Sequence, residues 1–284
     1  MEKLWLDENN ETEFVFNKDK LKDIEEKIAV NKQIIDEYQK KYGSKIIDKI
    51  EKDQSVLNVV TAVGLEDENA REKFPPVSEN IESQEKVVAR GFLSAQNLMF
   101  IQLEKEPFIY CELLEHLHRE LTKESIDISQ YAKGKLRDPW ANVIQTGYFT
   151  PTPGSEVKTE MNLALSNYAY VDRKGKDDVF EKIAKLHAQM VRIQPFMDGN
   201  KRMSFLVTNA MLRLHGLPII DLCNTPEESR EYNSALKEAI VVRDVTHLAE
   251  IFANKVYAKQ EGIINAITVE EVTKELTIVP EKIK

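Results

Sequence analysis

Only two cysteines occur in the 284 residues, Cys111 and Cys223. Both sit in apolar helical surroundings, which argues against a disulfide framework and predicts buried free thiols. Positive charge is also in deficit: the net charge is −9. That balance argues against nucleic acid as the main partner, because such proteins present a basic face. No apolar run approaches the ~20 residues of a membrane span. The start, MEKLWLDENN, lacks a basic segment followed by an apolar core, so no signal peptide is expected. A cytoplasmic protein with no membrane partner is the expectation. There is no G-x-x-x-x-G-K and no dinucleotide fingerprint. No internal repeat or low-complexity segment is visible.

What remains is mostly helical periodicity. NKDKLKDIEEKIAVNKQIIDEYQKKYG reads as an amphipathic helix that ends near Gly43. SKIIDKIEKDQSVLNVVTAVG predicts one or two more helices. The prolines of KFPPVSEN mark a boundary. Helices follow over Glu79 to Met99, in PFIYCELLEHLHRELTK, in EVKTEMNLALSNYAY and in DDVFEKIAKLHAQMVRI. NKRMSFLVTNAMLRLHG is stopped by Gly216 and Pro218. TPEESREYNSALKEAI opens with Thr225 as cap, Pro226 first and Glu228 third. One more small helix is predicted in the last twenty residues. Residues 124 to 157 break the rhythm and predict a long ordered loop with a short hairpin around Val143 to Thr150. A connection of that length in a compact domain calls for a function or for disorder.

The stretch VRIQPFMDGNKRMSF holds the chemistry. Two apolar helices meet there with almost no loop between them. The second begins near Gly199, and its first N–H groups have no intrahelical partners and sit at the positive end of the dipole. That makes an anion site. Gly199 lets a ligand approach the backbone. Lys201 and Arg202 add positive charge, and Arg202 can grip a phosphate by two parallel hydrogen bonds. Asp198 beside such a site suits Mg²⁺, which takes a carboxylate together with phosphate oxygens. The pattern fits a nucleoside polyphosphate. An N-cap, a turn glycine and a solvated basic face would account for the same four residues, and that alternative stays open on the residues alone.

The surroundings resemble the Fic family, whose core motif is H-x-F-x-(D/E)-G-N-G-R-x-x-R. Here Gln194, Pro195, Phe196, Met197, Asp198, Gly199, Asn200, Lys201 and Arg202 occupy the first nine places. LHAQMVRIQPF is similar to the helix entering the motif, and GYFTPTPGSEVKTEM to the flap and its following helix. LLEHLHRELTK, KGKLRD and SREYNSALKEA resemble further family segments. The resemblance covers roughly residues 78 to 256. It implies an all-α fold: a Fic-type helical bundle with a short β-hairpin flap and an N-terminal helical extension. The implied division is an N-terminal helical region over 1–77, a Fic-like domain over 78–256 and a C-terminal helical tail over 257–284. Family members move part of a nucleotide onto a protein hydroxyl, most often AMP from ATP. The resemblance gives Asp198 to Mg²⁺ and Gly199, Asn200, Lys201 and Arg202 to the nucleotide phosphates. It gives the flap, with Tyr148, Phe149, Thr150 and Pro151, to docking a protein target by strand addition. A homo-oligomer is compatible with it.

Three positions depart from the family pattern. Gln194 stands where the family has the histidine that takes the proton from the target hydroxyl. An amide cannot act as a base, and loss of one typically costs ~10²–10⁴ in rate. His187 lies seven residues earlier, roughly 10 Å back along the helix, and reads as a packed histidine. Lys201 replaces a small residue, as in the Doc-like branch that transfers phosphate rather than AMP. Phe205 replaces the second arginine, the usual partner of an inhibitory glutamate. SENIES nevertheless sets Ser78 and Glu82 at the spacing of the inhibitory (S/T)-x-x-x-E-(G/N) motif, with Ser83 where Gly or Asn is usual; a capping serine with a surface glutamate explains the pair equally. His116 and His118, two apart on a helix, point in different directions and do not read as a metal site. Three functions stay in play: a transferase weakened or abolished at Gln194, a non-catalytic module binding nucleotide or a partner, and a Doc-type phosphate-transferring toxin.

Overall fold

The computed structural model describes residues 13–43, 49, 84–125, 128–141, 147–169 and 178–278. Within them a short 3₁₀ turn, Lys18–Lys20, leads into eight α-helices. These are α1 (Lys22–Tyr42), α2 (Gln84–Lys105), α3 (Cys111–Thr122), α4 (Val157–Tyr168), α5 (Val179–Ile193), α6 (Asn200–Leu214), α7 (Pro226–Val241) and α8 (Thr246–Ile278). The all-α architecture agrees with the periodicity. No strand occurs among the described residues beyond an isolated parallel bridge between Val15 and Asp244.

Helix α5 is the centre of the bundle. Phe180, Ile183, Leu186, Met190 and Ile193 are all buried, so its apolar stripe is wide enough to serve several neighbours. It packs against α4, α6, α7 and α8. Helix α6 is buried from Arg202 to Leu212, held between α5 and α2. Helices α2 and α3 approach closely at Gly91: a Cβ there would lie 2.1 Å from the Leu121 carbonyl oxygen. The imidazole of His187 enters the core with both nitrogens paired. It sits between Thr208 Oγ1 at 2.8 Å and the Tyr232 hydroxyl at 2.7 Å, tying α5 to α6 and α7.

Two expectations change. The small C-terminal helix is instead the end of α8, which runs unbroken from Thr246 to Ile278. No proline interrupts that span and Gly262 is its only glycine, so nothing stops the helix. Helix α1 packs along it, through Ile35 and Tyr38 against Ile263 and Ile267. The hairpin of the flap is not seen. Residues 147–150 run without strand pairing, and Pro151 and Pro153, just beyond, cannot extend a ladder from them. Residues 142–146, the other part of that hairpin, lie outside the described residues, as do Ser78 and Glu82. The capping box forms in modified shape. Thr225 Oγ1 accepts from the Glu228 N–H at 3.2 Å, while the Glu228 carboxylate reaches back to the Asn224 N–H at 2.7 Å, one residue before the cap. Among the described residues no helix is long and apolar enough to cross a membrane.

Candidate active site

The bend is built from the end of α5. Gln194 closes that helix in the left-handed region, φ 51° and ψ 63°, with its N–H on the Met190 carbonyl at 3.1 Å. Pro195 then prevents the helix from continuing. Five residues later α6 starts from Gly199, also left-handed at φ 74°. A side chain at that position would be strained, and its Cβ would lie 3.3 Å from Leu121 Cδ2 and 3.4 Å from Arg202 Nη2.

Asn200 holds the bend shut. Its Oδ1 accepts from the Phe196 N–H at 2.9 Å. Its Nδ2 donates to the Phe196 carbonyl at 2.9 Å and to Gln194 Oε1 at 2.7 Å. Gln194 Nε2 donates to the Val191 carbonyl at 2.8 Å. Both ends of the Gln194 amide are therefore engaged inside the bend.

From below, the bend rests on α3. The Phe196 ring is fully buried and lies flat on the His118 imidazole, centroids 4.0 Å apart and planes 4° from parallel. His118 Nδ1 accepts from the Gly134 N–H at 2.9 Å. The ring proton is thereby assigned to Nε2, which donates to the Asp198 carbonyl at 3.0 Å. Burial pushes the His118 pKa down to about 4, so the ring is a neutral strut. His187 is likewise held neutral, its pKa lowered to about 3 by desolvation.

At the mouth, the first intrahelical bond of α6 runs from the Met203 N–H to the Gly199 carbonyl, 2.9 Å. The N–H groups of Asn200, Lys201 and Arg202 precede it and face the start of the helix. Asp198 is half exposed; one of its oxygens accepts from the Gly199 N–H at 2.6 Å and the other lies 3.8 Å from Arg202 Nη2. Arg202 is almost fully buried beneath Gly199, so its charge acts from under the bend. Lys201 Nζ is 3.5 Å from Asn233 Oδ1 on α7. On the same face of α7, one turn further, Lys237 Nζ lies 5.7 Å from the centre of the Tyr148 ring, and Tyr148 and Phe149 are in ring contact at 5.3 Å. Asp198, Gly199, Asn200, Lys201 and Arg202 are thus grouped around one helix start, with the flap aromatics against the neighbouring helix. Thr150 is exposed and Pro151 buried. Phe205 points elsewhere: it is fully buried, stacked on Phe92 at 5.7 Å, where the family's arginine would have no water.

One residue of this region escapes the sequence reading. Arg137, 2% exposed, donates from Nε to the Gln194 carbonyl at 2.6 Å, from Nη2 to the Ile193 carbonyl at 3.0 Å, and from Nη2 to the Thr152 carbonyl. KGKLRD contains it, but no local spacing announces a contact 57 residues away.

Comparison with known proteins bears on the fold. The Fic/DOC family model matches residues 108–212. A protein adenylyltransferase, fic-1 of Caenorhabditis briggsae, is 29% identical over 139 residues, 46% of this chain. That match spans 27% of the relative's length. Among solved structures, Fic-1 from C. elegans superposes with a TM-score of 0.69 at 18% identity, over 87% of this chain and 73% of that one. A Fic domain containing signaling protein from Bacteroides thetaiotaomicron gives 0.66 at 18% identity, over 84% and 96%. A Fic family protein from Desulfovibrio desulfuricans gives 0.64 at 15% identity, over 91% and 77%. The chain is thus built on the Fic fold, and its residues 108–212 match the Fic/DOC family model.

Proposed function

We propose that the bend is the active site of a Fic-type protein-modifying transferase, moving AMP from ATP to a protein hydroxyl in the cytoplasm, with the transfer step weakened or abolished at Gln194. The observation that carries this reading is the engagement of the Gln194 amide between Val191 and Asn200. A carboxamide so held orients the bend but takes no proton. The two nearest buried histidines give no substitute. His118 and His187 each have both ring nitrogens engaged, and desolvation disfavours their charged forms.

The remaining parts suit phosphate. The N–H groups of Asn200, Lys201 and Arg202 and the positive end of the α6 dipole would receive phosphate oxygens. Lys201 adds a point charge at the rim, and Arg202 a buried one. Asp198 offers a half-exposed carboxylate. Among the described residues no group of three or more His, Cys, Asp or Glu could hold a metal ion, so a cation here would share its shell with phosphate oxygens and water, as Mg²⁺ does. When bound, Mg²⁺ would neutralise phosphate charge. The flap, from Tyr148 to Pro151, would take the target's main chain as an added strand. The engaged amide equally favours a second reading, a non-catalytic module that binds nucleotide or a partner.

Incubating the Gln194→His protein with ATP labelled on either the α or the γ phosphate tests the proposal. Protein-bound α label is the expected result. Bound γ label alone would mean a Doc-type phosphate transfer, for which Lys201 is the suspect. No bound label, with ATP binding intact, would leave the binding module.

A further inference from the structure

We propose that Arg137 is a positioning residue that locks the flap to the backbone of position 194, so that a hydroxyl docked at the flap and the side chain at 194 keep one fixed separation. The inference rests on reading residues 147–153 as the target-docking flap.

Arg137 lies on the connection between α3 and the flap. Its guanidinium spans two chain segments, the end of α5 and the root of the flap. Nε takes the carbonyl of Gln194 and Nη2 those of Ile193 and Thr152. Its own N–H donates to the Pro195 carbonyl at 2.8 Å. The α5 carbonyls are the orphan acceptors that every helix leaves at its C-terminus, and a cation there is favoured by the dipole. Thr152 is the root of the flap. Its hydroxyl donates to Glu160 Oε2 on α4 at 2.6 Å, which pins the root from the other side.

The geometry asks for arginine in particular. Three carbonyls from two directions need donors spread over a planar fork; an ammonium presents its donors from a single point. Gln194 itself is a non-glycine residue in the left-handed region, a conformation that persists only where surrounding contacts over-determine it. Arg137 supplies one of those contacts directly. Because a misplacement of ~1 Å can cost about a hundredfold in transfer, a lock between flap and position 194 matters to the reaction without touching nucleotide.

The test compares Arg137→Ala and Arg137→Lys with the unchanged chain by amide hydrogen exchange, which needs no activity. Exchange at Glu156, whose N–H is held by the Pro153 carbonyl at the flap root, and at Gln194, whose N–H is held by the Met190 carbonyl, should rise by at least roughly tenfold in both variants, the loss of one hydrogen bond from a charged donor. Exchange in α6, from Met203 to Leu212, should stay as it was. Guanidinium ion at low, non-denaturing concentration should restore flap protection in Arg137→Ala, and sodium chloride should not. In the Gln194→His background, self-labelling from α-labelled ATP should fall while the ATP dissociation constant stays within about twofold, since Arg137 contacts no part of the phosphate site. Unchanged flap exchange, or a rise spread equally over all helices, overturns the proposal. If Arg137→Ala does not fold, Arg137→Lys decides by the same criteria. Absence of self-labelling in every protein carrying Gln194→His would count against the transferase reading, while the exchange data would still judge the lock.

Discussion

Gln194 Oε1 accepts a hydrogen bond from Asn200 Nδ2 at 2.7 Å, closing a ring across the bend between the two central helices. The position proposed for the base is thus tied to a residue that would also serve phosphate. Asn200→Ala should show how much of the bend this one side chain holds. The substitution leaves the Phe196 N–H and carbonyl without their partner. Two buried main-chain groups at ~1–3 kcal/mol each predict a loss of about 2–6 kcal/mol. Urea unfolding measures it. A loss below about 0.5 kcal/mol, the range of ordinary surface changes, would mean that the bend is held elsewhere.

The two buried histidines set an acid limit on stability. Desolvation lowers His118 to about 4 and His187 to about 3, against about 6.5 in an unfolded chain. Below pH ~6.5 the unfolded state binds protons that the folded state refuses. Stability is therefore full above that pH and falls as pH drops, at ~1.4 kcal/mol per unit for each histidine. Both contribute down to about pH 4 and His187 alone below it. Urea unfolding at pH 7 and pH 5 should show the slope, and His187→Gln should reduce it by ~1.4 kcal/mol per unit. Equal slopes in the two proteins would show that His187 titrates as freely in the fold as outside it.

Removing the candidate metal ligand should separate nucleotide binding from its dependence on Mg²⁺. In the unchanged chain, ATP titrated calorimetrically should bind more tightly with Mg²⁺ than with a chelator. Asp198→Ala should bind equally with both, because the carboxylate that joins cation to protein is gone. A Mg²⁺ enhancement that survives in Asp198→Ala would leave Asp198 with only its place in the turn, where its Oδ1 accepts the Gly199 N–H.

The helices around the bend were legible because their apolar stripes are local and strong. Val179 to Ile193 and Asn200 to Leu214 are both bounded by residues whose effect is local: Pro195, Gly199 and Gly216. The grouping of Asp198 to Arg202 at a helix start was legible for the same reason. Pairings between distant segments were not. His118 under Phe196 and Arg137 across to Thr152 and Gln194 join residues far apart in sequence, and each looks ordinary in its own segment. Only the far end of α8 was anticipated, as a separate small helix; its first half was given no element because its apolar residues are spread around the helix rather than gathered in one stripe. The flap read as a hairpin because aromatics lie near a glycine there; its described part, residues 147–150, runs without strand pairing.

The central claim is that position 194 is where this site lost its base, and a pH–rate profile tests it most directly. Transfer from α-labelled ATP should be followed in the unchanged chain and in Gln194→His across pH 5.5 to roughly 8.5, the range through which an imidazole titrates. The Gln194→His protein should be faster by ~10²–10⁴, and its rate should rise with pH through an imidazole-like midpoint and then level. The unchanged chain should show no such midpoint. Equal rates with the same pH dependence in both proteins would contradict the account.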